Sequence, residues 1–550
     1  MKIRKGAITI KLLKQIIAAI TALTILTLTG CGKDSGTGRV FKYDISANPT
    51  TLDPQQANEP NSDTIIGNMF MGLMTIAQDG SVQKGAAEEY SVSADGLTYN
   101  FKLRNDIYWI DCTDFEKQCT ANDFVFGFMR LFLPETQAPR AKDYFCIKNA
   151  KAINEGSITD RNKLGVKAKN DFELEITLEY PNPRFLSMLA EPPAMPCNEE
   201  IFKKAKGKYG LSAECTPSNG SFYLKSWTYD KYSITDTNNL ILGRNYKNAE
   251  TQTICPSGLN FFIEDEEDFI SDFNNGEISC LAVSNNDKSQ IKGSYKVDEF
   301  SNITCGLVFN SKYELFKNEN FRKMLCMLVD KNAIKSALSE YETADGVVPK
   351  QVSIDGKGYH EIAGNVNIPE YNVRAAKDLF DSISPQIDKT LLTGAKIIVP
   401  DSAAQTAVSY IMQEWQREFG FYCKVEMLSE NEYSKALQNG DFDIAVLELS
   451  GKYNSPAAYL EKFSSSSSEN YTGFYSADFE NYLNKAQTAS SDSSESMSLY
   501  LKAEQSLIDH CAFFPLYYKN EYFFTLKKSE DIIYNPFSKT VNFTLAKRYK

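Results

Sequence analysis

Few residues of this chain have the types and spacing that catalysis or metal binding needs. The only histidines are His360 and His510, and neither HExxH nor paired CxxC spacing occurs, so we expect no histidine-based metal site. Ser81-Val82-Gln83-Lys84 matches the SxxK pattern of a nucleophilic serine, but it follows a turn and no KTG triplet accompanies it. The acidic residues 264–268 lack EF-hand spacing, which favours a solvated turn. We therefore expect no catalytic residue, no metal and no cofactor.

Cys31 has the context for a different chemistry, the attachment of lipid. Five basic residues and an apolar run at 16–28 precede it, and Leu28-Thr29-Gly30-Cys31 resembles the lipobox of bacterial lipoproteins. The resemblance implies a signal peptide at 1–30, a diacylglyceride thioether on Cys31 and a flexible tether at 31–38. The chain would then be exported and lipid-anchored on the extracytoplasmic face of the cell membrane. The alternative is an ordinary secretory signal with a coincidental cysteine.

The other eleven cysteines would fold in a compartment that permits disulfides, but an odd number cannot all pair within one chain. Cys112 and Cys119 flank a short segment after a predicted strand, and we predict a disulfide between them. Four more lie in apolar runs and are expected to be small buried side chains without a disulfide: Cys305, Cys326, Cys423 and Cys511.

Length and charge limit the classes of partner. About 520 residues would follow the leader, which is too many for one hydrophobic core and predicts two or more lobes. The chain has 59 basic and 71 acidic residues, a net charge of −12, and loss of the five basic residues of the leader leaves −17. So acidic a chain is not expected to bind nucleic acid. No segment after the leader is apolar enough to span a bilayer.

Local patterns predict the elements that hold the chain together. Residues 97–103 and 172–178 alternate apolar and polar side chains and predict strands. Thr120, with Asp123 three residues later, predicts a capped helix. In the later half, strands predicted at 396–400, 421–428 and 442–447 alternate with two helices, the first capped by Asp401 or Ser402 and ended by Gly420. This βαβαβ pattern predicts a parallel sheet with right-handed crossovers.

Taken together, the motifs resemble the extracytoplasmic solute-binding proteins for peptides, the oligopeptide- and dipeptide-binding lipoproteins of ABC importers. Each motif is short, but they occur in the family's order over nearly the whole chain after the leader. They are TLDP at 51–54, NMFMGL at 68–73, AEEYSVSADGLTYNFKLR at 87–104, TAND at 120–123, NGSFYL at 219–224, VDK at 329–331, FDIAVLELSGKYNSP at 442–456 and PLY at 515–517.

The resemblance implies an α/β, two-lobed periplasmic-binding-protein-like fold of type II, in the large cluster that carries an extra subdomain. Hinge crossings would join the lobes, with the ligand enclosed between them. The first lobe would comprise 39–70, 216–305 and 520–550, the extra subdomain 71–215, and the second lobe 306–519. A peptide would lie extended in the cleft and be held mainly through its main chain. The residues expected to line the cleft are Asn58, Glu59, Tyr144, Asn219, Gly220, Glu448, Leu449, Lys452, Tyr453 and Asn454.

Lys452 departs from the family pattern. Peptide-binding members have an aspartate before the Tyr-Asn pair, and it anchors the α-ammonium of the ligand, whereas this chain has Lys452 before Tyr453 and Asn454. A buried ammonium facing a cation would cost several kcal/mol. Three explanations remain open. Lys452 points to solvent and another acid, Glu448 or Glu59, takes the amine; the ligand is amine-blocked, anionic or not a peptide; or the alignment slips by one residue.

The resemblance implies a monomeric receptor that delivers oligopeptides to the permease subunits of an ABC transporter. Two other classes stay open. One is a signalling receptor in which captured peptide reports to a sensor, and the other is an exported hydrolase, which the absence of nucleophile, metal and base motifs disfavours.

Overall fold

The computed structural model describes residues 37–549, apart from 79, 231–237, 248–253, 265, 355 and 490–492. The predicted signal peptide, Cys31 and nearly all of the tether therefore lie outside the described residues. Within the part of the chain that is described, no helix combines the length and apolar character needed to cross a bilayer.

The described residues form strands and helices that we number in chain order. The strands are β1 Val40–Ile45, β2 Met74–Ile76, β3 Val82–Lys84, β4 Ala87–Val92, β5 Thr98–Leu103, β6 Tyr108–Ile110, β7 Glu116–Gln118, β8 Val166–Asn170, β9 Glu173–Thr177, β10 Phe222–Thr228, β11 Asn239–Arg244, β12 Gly258–Ile263, β13 Cys280–Ser284, β14 Tyr295–Phe309, β15 Glu342–Thr343, β16 Ser353–Ile354, β17 Lys357–Gly358, β18 Thr393–Val399, β19 Tyr422–Met427, β20 Ile444–Ser450, β21 Phe514–Leu526, β22 Ser529–Glu530, β23 Ile533–Asn535, β24 Thr540–Asn542 and β25 Lys547–Arg548. The α-helices are α1 Pro60–Met69, α2 Ala121–Phe132, α3 Ala150–Asn154, α4 Phe185–Met188, α5 Glu199–Ala205, α6 Glu266–Asn275, α7 Glu314–Lys317, α8 Glu319–Cys326, α9 Lys331–Ala337, α10 Tyr359–Ala363, α11 Val373–Ile383, α12 Ser402–Phe419, α13 Glu430–Asn439, α14 Ala457–Leu460, α15 Ala477–Gln487 and α16 Ser493–Asp509.

The first lobe is built on a four-stranded sheet in the order β1-β12-β11-β10, in which β1 runs parallel to β12. Residues near the end of the chain return to this lobe. The side chain of Asn68 on α1 donates to the carbonyl of Val541 at 2.8 Å and accepts from the amide of Phe543 at 2.9 Å. Phe543 then packs against Phe41 and Phe261 in the core. Distant parts of the chain therefore complete one core.

The extra subdomain contains a second four-stranded sheet, β4-β5-β9-β8, with α2 beside it. The strands predicted at 97–103 and 172–178 are confirmed as β5 and β9. The predicted cap of α2 is confirmed as a capping box between Thr120 and Asp123. Apolar side chains of the subdomain and of the first lobe form one continuous core, so the two pack as a unit.

The second lobe contains the predicted βαβαβ unit. β18 pairs in parallel with both β19 and β20, and α12 is capped by Asp401, whose carboxylate accepts from the Ala404 amide at 2.8 Å. Gly420 ends α12 with φ of 65°, a conformation that glycine adopts without steric cost. Ile397 and Ile398 enter separate apolar cores on opposite faces of β18, as expected of a parallel sheet covered on both sides.

Two long strands connect the lobes. β14 pairs with β20 through its carboxyl-terminal half and with β21 over nearly all of its length, and the far half of β21 pairs with β13. The register shifts between Ser301 and Ile303, which leaves Asn302 as a bulge. A bulge bends a strand and strengthens its twist, and the same ladder has a second register shift between Cys305 and Gly306. The predicted lobe boundaries at 305 and 519 fall inside these strands and stay predictions.

The predicted disulfide between Cys112 and Cys119 is wrong, because both cysteines are free. They flank a hairpin in which Tyr108 pairs with Gln118 and Ile110 with Glu116. Cys119 therefore lies beside Ile107 at the open end, to whose carbonyl its amide donates at 2.9 Å, while Cys112 lies at the turn. An extended strand rises about 3.4 Å per residue, so the cysteines are separated by far more than the ~7 Å that a disulfide permits. The four cysteines predicted to be buried and unpaired are confirmed.

Candidate functional site

The extra subdomain and the second lobe meet at Arg184 and Tyr453. Arg184 precedes α4, and Tyr453 lies in the loop after β20. The guanidinium carbon of Arg184 lies 3.4 Å from the centroid of the Tyr453 ring, and the phenol donates to a carboxylate oxygen of Glu461 at 2.9 Å. A stacked guanidinium and a charge-assisted hydrogen bond thus fix Tyr453 at the junction.

A series of ion pairs holds the Arg184 side chain in place. Its guanidinium pairs with Glu191 at 2.6 Å, Glu191 pairs with Arg140 at 2.6 Å, and Arg140 reaches Asp63 on α1 at 3.2 Å. Burial, with smaller contributions from Glu191 and Glu59, raises the pKa of Asp63 to about 6 against the opposing effect of Arg140. The network connects the first lobe to the side chain that meets Tyr453.

Two further acids flank this junction. Burial raises the pKa of Glu461, although the Tyr453 hydrogen bond and the nearby Arg184 lower it. Burial likewise raises the pKa of Asp143, whose side chain is about half exposed and lies 3.7 Å from Arg140. A ligand ammonium would favour the ionised form of both acids, so the junction has carboxylates suited to binding a cation.

Lys452 lies at the exposed rim of this network, where its charge opposes the rise in the pKa of Asp143. Its side chain is 82% exposed, and its ammonium lies 3.6 Å from Glu469, which Lys462 also pairs with at 2.8 Å. Asn454 is turned towards β16, where its side-chain amide exchanges hydrogen bonds of 2.8 and 2.7 Å with Ser353. Of the three explanations for Lys452, the structure favours a side chain that points to solvent.

Glu448 and Glu59, the two acids proposed to replace the family's aspartate, already have partners. Glu448 pairs with Lys519 at 2.5 Å, and Lys519 also pairs with Asp401 at 2.6 Å. The carboxylate of Glu59 accepts from the hydroxyl of Thr50. Glu448 is therefore neutralised by a neighbouring cation, whereas Glu461 and Asp143 lie closer to the junction.

Residues 81–471 match the family described as bacterial extracellular solute-binding proteins, family 5. The chain belongs to this family. The likeness to solved structures confirms its α/β, two-lobed fold of type II, in which hinge crossings join the lobes. Family members work outside the cytoplasm.

Several characterised relatives of this solute-binding protein cover most of its length. It is 24% identical over 528 residues, or 94% of each chain, to the oligopeptide-binding protein OppA of Bacillus subtilis. It is 27% identical over 495 residues, or 88% of each chain, to YgiS of Escherichia coli, described as a probable deoxycholate-binding periplasmic protein. The structure of Listeria monocytogenes OppA bound to peptide superimposes with a TM-score of 0.67 at 23% identity, covering 93% of this chain and 99% of that one.

Four residues predicted to line the cleft of this solute-binding protein are buried and also have packing roles, and their contact with ligand stays a prediction. Tyr144 is fully buried and donates to the carbonyl of Met188 at 2.8 Å. The amide of Asn219 holds the backbone of Met71 through two 3.0 Å hydrogen bonds. A Cβ on Gly220 would lie 2.5 Å from the carbonyl of Met69, and Leu449 belongs to a core. Asn58 is exposed, and its contact with ligand stays a prediction.

Sequence reasoning found Tyr453 and missed Arg184, Glu191 and Glu461. Tyr453 has a motif around it, because it belongs to the pattern that resembles the family. Arg184 and Glu461 have no such signal, because neither lies in a recognisable pattern. They are 269 and 8 positions away from Tyr453 in the sequence, and only the fold brings them into contact with it. Both become visible only through their contacts.

Proposed function

We propose that this protein captures oligopeptides between its two lobes and delivers them to the permease subunits of an ABC importer. The match to family 5 over residues 81–471 carries the proposal, and the relatives named as oligopeptide-binding proteins support it. It acts as a monomer, held at the extracytoplasmic face of the cell membrane by lipid on Cys31. The tether at 31–38 lets the lobes reach the permease.

The lobes close around a ligand because the ligand binds the closed arrangement more tightly than the open one. A peptide that contacts both lobes stabilises the closed arrangement, because only that arrangement offers all of its contacts. The continuous strands β14 and β21 allow the lobes to rotate about the bulge at Asn302 without breaking a core. Hydrogen bonds to the peptide main chain provide affinity without reading each side chain.

Glu461 takes the role that the family's aspartate has elsewhere, with Asp143 as its partner. Both carboxylates lie near Tyr453, and both have pKa values raised by burial, so a bound ammonium would stabilise them in their ionised form. Lys452 stays at the solvent-facing rim, where it pairs with Glu469.

The first test identifies what the protein carries. The soluble form that begins after Cys31 is purified and denatured, and the released small molecules are identified by mass spectrometry. A mixture of short peptides is expected. One dominant species that is not a peptide would contradict the proposal.

The second test measures whether a free amine matters. One peptide is titrated by calorimetry in its free form and in its N-acetylated form. We expect the free amine to bind at least tenfold more tightly, or about 1.4 kcal/mol, because acetylation leaves the buried carboxylate of Glu461 without the ligand cation. Tighter binding of the acetylated form would instead favour an amine-blocked or anionic ligand.

The proposed role of Glu461 in binding the ligand amine is tested by a matched pair of variants. Glu461→Gln is expected to weaken binding of the free-amine peptide about tenfold and to leave the acetylated peptide unchanged. Lys452→Ala is expected to change both affinities less than about twofold, because an exposed charge is screened by solvent. A large loss on Lys452→Ala would place that lysine in the ligand site.

The relative described as deoxycholate-binding supports a second candidate, an anionic amphiphile, since it is 27% identical to this chain. Calorimetric titration with deoxycholate separates the two candidates. Binding of deoxycholate that excludes peptide would establish the second candidate, and we expect no such competition.

A further inference from the structure

Asp44, near the end of β1, is a buried carboxylate without a partner. Its residue is 4% exposed, and neither side-chain oxygen has a hydrogen-bond partner within the described part of the chain. Most buried carboxylates are paired or hydrogen-bonded, because removing a charge from water is costly. An unpaired one therefore needs an explanation.

Two more carboxylates converge on Asp44 from separate elements. Glu264 follows β12, the parallel neighbour of β1, and its amide donates to the carbonyl of Ile45 at 3.1 Å. Asp272 comes from α6. One carboxylate oxygen from each of the three residues lies within 4.8 Å of the other two. The fold thus brings Asp44 together with two acids that lie more than 200 positions later in the sequence.

The surrounding charges do not neutralise this cluster. Glu277 and Asp268 add further negative charge to it. Lys42 is the cation whose field opposes them, but its ammonium lies over the ring of Phe262, 5.2 Å from the centroid, and forms no ion pair with Asp44 among the described residues. Burial and the neighbouring acids raise the pKa of Asp44 to about 7. Among the described residues, the charges that act on Asp44 are therefore mainly negative.

We propose that Asp44, Glu264 and Asp272 form a binding site for a hard divalent cation of the Ca²⁺ class. Ca²⁺ binds oxygen ligands at about 2.3–2.6 Å, so oxygens around one ion lie up to ~5 Å apart, and the three carboxylate oxygens, all within 4.8 Å of one another, meet that limit. Mg²⁺ at about 2.1 Å requires opposite oxygens within ~4.2 Å and near-ideal octahedral geometry. Water and backbone carbonyls would supply the remaining ligands of Ca²⁺.

The site has a structural consequence that is separate from ligand capture. Phe273, the neighbour of Asp272 on α6, packs against Phe524 of β21 with ring centroids 6.2 Å apart. A cation held by Asp44 and Asp272 would therefore fasten α6 to the sheet of the first lobe while its other face rests on a hinge strand. The cation would stabilise the base of the hinge.

The test uses the soluble protein after treatment with a chelator. Calorimetric titration with CaCl₂ is expected to show one site, and saturating Ca²⁺ is expected to raise the melting temperature by about 3 °C or more. Mg²⁺ at the same concentration is expected to give less than half of this rise. No heat and no shift with Ca²⁺, or an equal rise with Mg²⁺, would overturn the assignment.

Three variants locate the effect. Asp44→Asn and Asp272→Asn are each expected to abolish the Ca²⁺-dependent rise, and Asp44→Asn is expected to raise the melting temperature of the calcium-free protein because it removes an unpaired buried charge. Asp381→Asn, at an exposed position of α11 in the second lobe, is the matched control and should keep the full response. A rise that survives in both Asp44→Asn and Asp272→Asn would show binding elsewhere and overturn the proposal.

Discussion

Asp53 connects the first lobe to the extra subdomain through one buried ion pair. It belongs to the TLDP motif at 51–54, and both its oxygens bind the guanidinium of Arg130 on α2, with each side chain 5% exposed. The same guanidinium donates to Gln55 at 2.7 Å and lies 4.1 Å from the ring of Phe202. A short motif that resembles a family signature thus has a physical role, which is to fasten the segment before α1 to α2.

Removal of one partner from this pair is expected to be strongly destabilising. Asp53→Asn leaves the buried guanidinium of Arg130 without its counter-charge and should lower the free energy of unfolding by about 3–5 kcal/mol. Glu88→Gln is the matched control, because Glu88 and Lys102 form a pair in which both side chains are about half exposed; it should cost less than about 1 kcal/mol. Urea denaturation followed by fluorescence measures both, and similar midpoints for the two variants would contradict the expectation.

Lys331 should give stability an alkaline pH dependence. It donates to the carbonyl of Ala344 at 2.8 Å, and burial lowers its pKa to about 8. Between about pH 8 and 10.5 the unfolded chain holds a proton on this amine that the folded chain has lost, so stability rises with pH across that window. The free energy of unfolding of Lys331→Met, compared with the parent at pH 7.5 and pH 10, should lack this contribution. An unchanged difference between the two proteins at both pH values would contradict the assignment.

Local elements were predictable where a short stretch determines them. The capping box at Thr120 and the glycine that ends α12 both act within a few residues, and the predicted helices and strands of the βαβαβ unit agree with the structure. The hinge strand β14 was not predicted, because its polar residues 298–302 break any apolar period and its pairing partners lie more than 130 positions away. The prediction of a disulfide between Cys112 and Cys119 was wrong for a related reason, because spacing along the chain does not reveal which positions of a hairpin face each other.

The bulge at Asn302 is expected to control opening and closing. Its side chain donates to the carbonyl of Pro536 at 2.9 Å, and its own carbonyl accepts from the hydroxyl of Tyr459 at 2.7 Å, so it touches both lobes. Asn302→Ala should lower the free energy of unfolding by about 1–2 kcal/mol and change peptide affinity. Asn162→Ala, at an exposed position of the subdomain, is the control for both measurements. Unchanged affinity together with lowered stability would assign Asn302 to packing alone.

At the scale of the whole molecule, the three largest hydrophobic cores of the described residues belong to different parts of the fold. One core spans the first lobe and the subdomain, and two others cover the faces of the second lobe's sheet. The long strands cross between them, so each lobe can move as a rigid body. Arg184 and Tyr453, which meet across the gap, come from different lobes.

Ligand-driven closure should be visible in solution scattering. Saturating peptide is expected to reduce the radius of gyration by on the order of 1 Å, because the lobes rotate towards each other about the hinge strands. The measurement is small-angle X-ray scattering with and without peptide, with an N-acetylated peptide as the weak-binding control. A radius unchanged at saturation would show that binding does not close the lobes.

Residues 541–543 contact α1, so parts of the first lobe's core are made at very different times during translation. Val541 and Phe543 supply hydrogen bonds and core contacts to the first lobe, yet the ribosome makes them some 470 residues after Asn68. A nascent chain therefore carries an incomplete first lobe until residues 541–543 have been made, while most strands of the second lobe can already pair. We expect the first lobe to complete its core only after the second lobe has done so.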